Sequence, residues 1–259
     1  MSYKNLAEQI RSIGGASVVG HVGQSQQFPF YMIKRGTGLK VLLLGGVHGD
    51  EPAGPHAIVE FFRYHSGEYE SKFEFTAFPC VNPQGYDLFI RGTNPDDDNP
   101  QGQINLNREF KKDTAAPEIK LVLPLLEQYI FAMDHHETWP ESTRVGTQEP
   151  DGEDPSEFYL WEFCRDHSLR VGRKIVENVQ RAGLPICEWE KIYGDKNNGG
   201  VIWYPEDCGT PCYSSGTSDV FLTSNHTSQA FTIETPRGLE LERRVLAHIT
   251  SLKTVLDVK

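Results

Sequence analysis

Several things are scarce in this sequence. No apolar run approaches the ~18 residues of a membrane-spanning helix, and the first residues, Met1 to Glu8, carry no apolar stretch of the signal-peptide kind. The expectation is a soluble, cytoplasmic protein with no membrane partner. Positive charge is short too: 25 Lys and Arg stand against 36 Asp and Glu, a net charge of −11, which argues against a grip on phosphate backbone and so against nucleic acid. Cysteines are few and odd in number (Cys80, Cys164, Cys187, Cys208 and Cys212), which fits reduced thiols better than a disulfide framework. Cys208 and Cys212 could make a local disulfide or half of a structural zinc site, but no second ligand pair accompanies them. There is no Gly-x-Ser-x-Gly elbow, no Gly-x-x-x-x-Gly-Lys loop and no Gly-x-Gly-x-x-Gly turn, so a serine nucleophile, phosphoryl transfer and dinucleotide binding lack support.

What is present starts with Val41-Leu42-Leu43-Leu44-Gly45-Gly46-Val47-His48-Gly49-Asp50-Glu51-Pro52. A short apolar run ending in Gly-Gly reads as a parallel strand covered on both faces, and Ile58, Phe61 and Phe62 predict a helix from Pro52 to about His65. His48 and Glu51 therefore sit where a strand opens into a helix, the edge at which sites collect in open α/β sheets. Imidazole and carboxylate both suit Zn2+, and a catalytic zinc needs a third protein ligand and an open position.

Along the chain, Leu6, Ile10 and Ile13 predict a short helix, and Ala16 to Val22 and Phe28 to Arg35 predict a hairpin. Lys72 to Cys80 reads as a strand, and Arg91 to Gly102 as a loop whose Asp96-Asp97-Asp98 lacks the ligand spacing of an EF-hand. Residues 117 to 128 predict a helix kinked at Pro124. Tyr129 to Met133 reads as a second buried strand running into Asp134-His135-His136-Glu137. A polar loop, Thr138 to Ser156, precedes an amphipathic stretch from Glu157 to Ala182, expected to be helical. Phe231 to Glu234 predicts a last strand, and Gly238 to Val258 a closing helix. With 259 residues, no repeat and no low-complexity linker, the expectation is one domain, 1–259, α/β in class, with a mixed, largely parallel twisted sheet flanked by helices on both faces.

His136 follows its strand as His48 follows the first, which supplies the third ligand. Asp134, two residues before it, is placed to orient an imidazole from behind. His135 is the spare histidine.

Taken in order, Gly46-x-His48-Gly49-Asp50-Glu51, Asn105-Leu106-Asn107-Arg108-Glu109-Phe110, Asp134-x-His136 and Phe231-Thr232-Ile233-Glu234 resemble the zinc carboxypeptidase superfamily. The forms are most similar to the small murein peptide amidases and the succinylglutamate desuccinylase/aspartoacylase group. The resemblance implies a carboxypeptidase-like (phosphorylase/hydrolase-like) fold and one zinc per chain on His48, Glu51 and His136. It makes Glu234 the general base, with Glu137 the rival carboxylate, and gives Arg91 the scissile carbonyl and its oxyanion. Asn107 and Arg108 would hold the substrate's terminal carboxylate. Tyr213 to Asp219 resembles the segment of the mobile tyrosine and specificity pocket, with Tyr213 as the tyrosine, Asp219 in the pocket and Ser218 where side-chain preference is set. The digestive enzymes carry an arginine at the position of Asp50.

The implied activity is zinc-dependent hydrolysis of an amide bond beside a free carboxylate, by a metallocarboxypeptidase or murein peptide amidase, on a small peptide. The alternatives are an N-acyl amino acid deacylase, for whose extra β domain there is little room beyond Pro236, and a non-catalytic zinc- or peptide-binding module of the same fold.

Overall fold

The computed structural model describes residues 2–23, 26–93, 103–139, 154–208 and 216–259. In chain order the elements are α1 (Tyr3–Arg11), β1 (Ala16–Val22), β2 (Phe28–Gly36), β3 (Leu39–Gly45), α2 (Ala53–Tyr64), β4 (Phe73–Phe78), α3 (Pro83–Leu88), α4 (Pro117–Val122), β5 (Phe131–Thr138), β6 (Tyr159–Cys164), α5 (Gly172–Arg181), β7 (Lys191–Ile192), β8 (Asp195–Lys196), β9 (Val201–Tyr204), α6 (Ser218–Asn225), β10 (Gln229–Pro236) and α7 (Leu241–Val258).

Eight strands form one sheet in the order β1-β2-β4-β3-β5-β10-β6-β9, and β7 and β8 make a separate hairpin. The centre, β4-β3-β5-β10, is parallel. The β1–β2 hairpin joins it antiparallel through β2 and β4, and β6 runs antiparallel to β10. The apolar run Val41 to Leu44 is fully buried in β3, as a strand covered on both faces should be. On one face α2, α5 and α7 pack together, while α6 lies against β5, β10 and β6. Phe61, Phe73, Phe75, Phe78, Phe131 and Phe231 are the large side chains of the core. No described helix is long and apolar enough to cross a membrane.

The sequence expectation fails from Glu157 to Ala182, which is not one helix. Tyr159–Cys164 forms β6, and the helix is α5 alone. Phe158, Tyr159, Leu160, Phe163 and Cys164 are all buried, so the segment is apolar on both sides, and pairing with β10 overrides the helical spacing read from Trp161 and Val171. The kink at Pro124 takes the form of a change from α4 to a 3-10 turn over Leu123–Leu125. Of Cys208 and Cys212, the first is a half-buried free thiol and the second lies outside the described residues.

Candidate metal centre

The candidate centre lies at the C-terminal edge of the parallel strands. β3 ends at Gly45, and Gly46 turns the chain at a φ of +58°, a conformation that costs glycine little. The turn delivers His48 and Glu51 ahead of α2. It is clamped from outside at Gly49, where a Cβ would stand 2.1 Å from the carbonyl carbon of Gly85.

Strand β5 buries all of its residues, including the run Asp134-His135-His136-Glu137. Such burial is costly unless each ionisable group finds a partner. Strand alternation sorts them. Toward α6, Asp134 accepts a 2.5 Å hydrogen bond from Ser218 Oγ, and His136 meets Glu51. Toward α2 and α7, His135 Nδ1 lies 3.2 Å from His248 Nδ1, and Glu137 accepts from the Ala53 N–H at 2.7 Å and pairs with Arg244. Glu137 thus serves the N-terminus of α2, which has no side-chain cap of its own. His135 and Glu137 are thereby occupied on the far side of the sheet from His136.

On the α6 side, one ligand atom each from His48, Glu51 and His136 come together, all within 4.8 Å of one another, and all three residues are buried. His48 Nδ1 is 2.8 Å from Glu51 Oε1, His136 Nδ1 is 2.8 Å from Glu51 Oε2, and the two Nδ1 atoms are 3.1 Å apart. Two ring nitrogens and a carboxylate aimed at one point call for a shared cation. An ion bound at about 2.0–2.1 Å in a tetrahedral arrangement would space its ligand atoms about 3.3 Å apart. The two imidazole Nδ1 atoms stand 3.1 Å apart and each lies 2.8 Å from a different Glu51 oxygen, spacings of that scale, so the set is able to hold a metal ion.

Each imidazole is fixed from behind. His48 Nε2 is 3.1 Å from Asn105 Oδ1, an atom that can only accept, so the proton is on Nε2 and Nδ1 offers its lone pair to the centre. His136 Nε2 is 3.0 Å from Asp134 Oδ2, close enough for an ion pair though not aligned as a hydrogen bond. Burial and the neighbouring Arg91 push the His48 imidazole down to about 3, which keeps it neutral at physiological pH. Burial would lower His136 too, yet the carboxylates of Asp134 and Glu51 hold it well above its usual value. Burial works to raise the Glu51 carboxyl, but the facing imidazoles of His48 and His136 hold it well below the carboxylate range.

Among the other residues singled out from the sequence, Glu234 lies in register with His136 on the adjacent parallel strand and accepts a 2.9 Å hydrogen bond from Thr138 Oγ1. Thr138 Oγ1 also lies 2.8 Å from Tyr159 Oη. Arg91 places Nη1 3.0 Å from Glu51 Oε1, at the ligand set itself. Arg108 is exposed at the end of a 3-10 turn and donates from Nη1 to the Asn107 carbonyl at 2.8 Å. Asn107 Oδ1 accepts from the Ser218 N–H at 2.9 Å, joining this turn to α6. Ser218 is buried, with its hydroxyl on Asp134. Asp219 accepts from Thr232 Oγ1 at 3.0 Å, and burial raises its carboxyl. Tyr213 lies outside the described residues.

Sequence reasoning missed Asn105, Thr138 and Tyr159. The first stands inside the Asn105 to Phe110 motif, close to the Asn107-Arg108 pair that received a role. Also missed was the cluster at Arg237, whose guanidinium carbon sits 4.4 Å from the centre of the Trp139 ring and 4.8 Å from that of Phe89.

No protein-family profile matches the sequence, and no curated protein matches it either. Solved structures do. A candidate metallopeptidase from Shewanella amazonensis SB2B superposes with a TM-score of 0.72 at 19% identity, over 99% of this chain and 91% of its own. One from Shewanella denitrificans OS217 gives 0.72 at 21% identity, over 99% and 88%. A metallo-carboxypeptidase from Pseudomonas aeruginosa, solved with (2-guanidinoethylmercapto)succinic acid, gives 0.66 at 16% identity, over 99% and 68%. The chain therefore has the carboxypeptidase-like fold, with a His-Glu-His set able to hold a metal ion at the edge of its parallel strands.

Proposed function

We propose that the protein is a zinc-dependent hydrolase that cleaves an amide bond beside a free carboxylate, of the metallocarboxypeptidase or murein peptide amidase type. The observation that carries this reading is the convergence of His48, Glu51 and His136 with Glu234 in register beside His136. Two imidazoles and a carboxylate are a ligand set suited to zinc. When bound, the ion supplies a Lewis acid for the carbonyl and makes water easier to deprotonate.

The chain's own residues do the rest. Asn105 and Asp134 hold the two imidazoles in orientation. Glu234 takes a proton from the attacking water and passes it to the leaving nitrogen, with the Thr138 hydroxyl steadying the carboxylate at Oε2. Arg91, which lies against the ligand Glu51, serves the developing negative charge of the carbonyl. Arg108, exposed and with no carboxylate partner among the described residues, is free to grip the substrate carboxylate through its planar fork.

The test is metal analysis of the purified protein followed by a hydrolysis screen over peptides with free C-termini, γ-glutamyl peptides and N-acyl amino acids, with Glu234→Ala as control. Stoichiometric zinc and turnover of one class, lost in the variant, is the expected result. A zinc-loaded protein inert toward all three classes would sink the proposal.

A further inference from the structure

Arg237 is a cation held in place with its hydrogen-bonding edge unused. The rings of Trp139 and Phe89, inclined at 66° to each other, both lie against its guanidinium. Cation–π contacts of this kind hold the charge against the rings without using its N–H groups as hydrogen-bond donors to an oxygen acceptor. Among the described residues no carboxylate pairs with that edge and no acceptor receives its N–H groups. This is unusual for a half-buried arginine in a chain of net charge −11. Arg244 has Glu137, Arg91 has Glu51, Arg35 has Glu70 and Arg170 has Glu206.

Beside it is a second idle donor: the Trp139 Nε1–H is buried and has no hydrogen-bond partner among the described residues. An unmatched buried N–H is expensive, and a site built to receive an acceptor is one reason to keep it. The third member is under strain as well. Phe89 caps α3 at φ +56° and ψ +49°, a left-handed conformation uncommon outside glycine, and the residue is 43% exposed. A hydrophobic side chain gains little by being held there unless its contact with Arg237 matters.

The cluster lies at the ends of the strands that carry the metal centre, β5 and β10. Trp139 is three residues beyond His136, Arg237 three beyond Glu234, and Phe89 two before Arg91. The Arg237 N–H donates to the Thr138 carbonyl at 2.8 Å, which ties the ends of β10 and β5 together at this point. Burial lowers the Arg237 guanidinium from its usual value, and of the carboxylates that act on it Glu137 is the strongest, followed by Asp50 and Glu51.

We propose that the Arg237 guanidinium edge and the Trp139 indole N–H form a recognition site for a second anionic group on the substrate, a carboxylate other than the one adjoining the scissile bond. The preferred substrate then carries two carboxylates, as an acidic side chain or a dicarboxylic acyl group would provide. The inference rests on reading the neighbouring centre as a hydrolytic site, but the site can be tested by binding alone.

The test is calorimetric titration of the full-length, metal-loaded protein with the dicarboxylates from succinate to adipate, each against the monocarboxylate of equal length. A dicarboxylate can also bridge the metal and Arg108, so a preference within a pair is assigned to this site only where Arg237→Gln removes it. At least one dicarboxylate is expected to bind about tenfold or more tightly than its partner, the scale of a charge-assisted pair. Arg237→Gln should abolish that preference. Trp139→Phe, which keeps the ring and removes only the N–H, should reduce it by a smaller factor. Thermal melts of both variants establish that they are folded. Equal affinity within every pair, or a preference that survives Arg237→Gln, overturns the proposal; in the second case Arg237 is a structural counter-charge to Glu137 and Asp50. A dicarboxylate preference lost in Arg237→Gln, found in a protein inert in the hydrolysis screen, would uphold this site while sinking the proposed activity.

Discussion

Asn105 Oδ1 lies 3.1 Å from His48 Nε2, reaching across 57 residues of sequence to set which imidazole nitrogen faces the metal centre. The same oxygen accepts the Asn107 N–H at 2.9 Å, so the turn that carries Arg108 and the candidate ligand His48 share one anchor. Removing the anchor should free the ring to rotate and to take the wrong tautomer. Asn105→Ala is expected to lose about 10- to 100-fold in metal affinity, the usual cost of deleting an outer partner of a ligating histidine. Asn105→Asp, which keeps the acceptor, should lose much less. Competition with a chromophoric chelator measures both, and an unchanged affinity in Asn105→Ala would refute the role.

Metal binding should also depend on pH in a defined sense. The raised His136 imidazole holds a proton in the metal-free protein, because Asp134 and Glu51 favour its charged form. An incoming ion must displace that proton, so metal uptake releases protons and affinity rises with pH through the neutral range. The folded-state value of His136 is raised, so its contribution to metal-free stability is complete below the unfolded value and is lost as pH rises through the folded one. Glu51 acts in the opposite sense: its depressed value contributes stability above the unfolded carboxyl range, lost as pH falls through the folded value. The gap between the melting temperatures of the metal-loaded and metal-free proteins should therefore widen on the alkaline side of neutrality. A gap that narrows there would contradict the assignment of His136 as the protonated ligand.

The parts of this site that are legible in the sequence are those encoded locally. Val41 to Leu44 suits only a buried strand, and the glycine turn after it puts His48 and Glu51 at a sheet edge by local chemistry alone. His136 is singled out over His135 by the Asp134-x-His136 motif, and the structure separates the two by strand alternation, with His136 on Glu51 and His135 on His248. β6 is illegible because its six residues also suit the buried face of a helix, and only pairing with β10 decides the matter. Asn105, Thr138 and Arg237 are illegible for a different reason. Each acts through a residue distant in sequence or through a ring stacked on it in space, and neither leaves a spacing to read.

Thr138 offers a test of how Glu234 is held. Its hydroxyl donates to Glu234 Oε2 at 2.9 Å and can receive the Tyr159 hydroxyl at 2.8 Å, a relay that favours the charged carboxylate. Thr138→Val keeps the shape and deletes the donor. The Glu234 carboxyl should then titrate higher, so the acid limb of kcat/KM moves to higher pH, and kcat falls by roughly tenfold with KM little changed. Thr138→Ser should restore both, because only the hydroxyl is required. An unmoved acid limb in Thr138→Val would separate Glu234 from the proton transfer assigned to it.

On the opposite face of β5, burial pushes the Glu137 carboxyl up to about 7, and the pairing with Arg244 is the main influence pulling it down. Arg244→Leu would leave that carboxyl buried without its cation while it still caps α2 through the Ala53 N–H. Breaking a buried pair from one side typically costs about 3–5 kcal/mol, and denaturant unfolding should show a loss of that order at neutral pH. Because the Glu137 value is raised on folding, and would rise further without Arg244, the variant's deficit should shrink as pH falls and the carboxyl becomes neutral. Adding Glu137→Gln to Arg244→Leu removes the stranded charge and should recover part of the loss at about pH 8 but little at about pH 5.5. A deficit that is the same at both pH values, and unrelieved by the second substitution, would show that Arg244 stabilises α7 through packing of its side chain and not through its charge on Glu137.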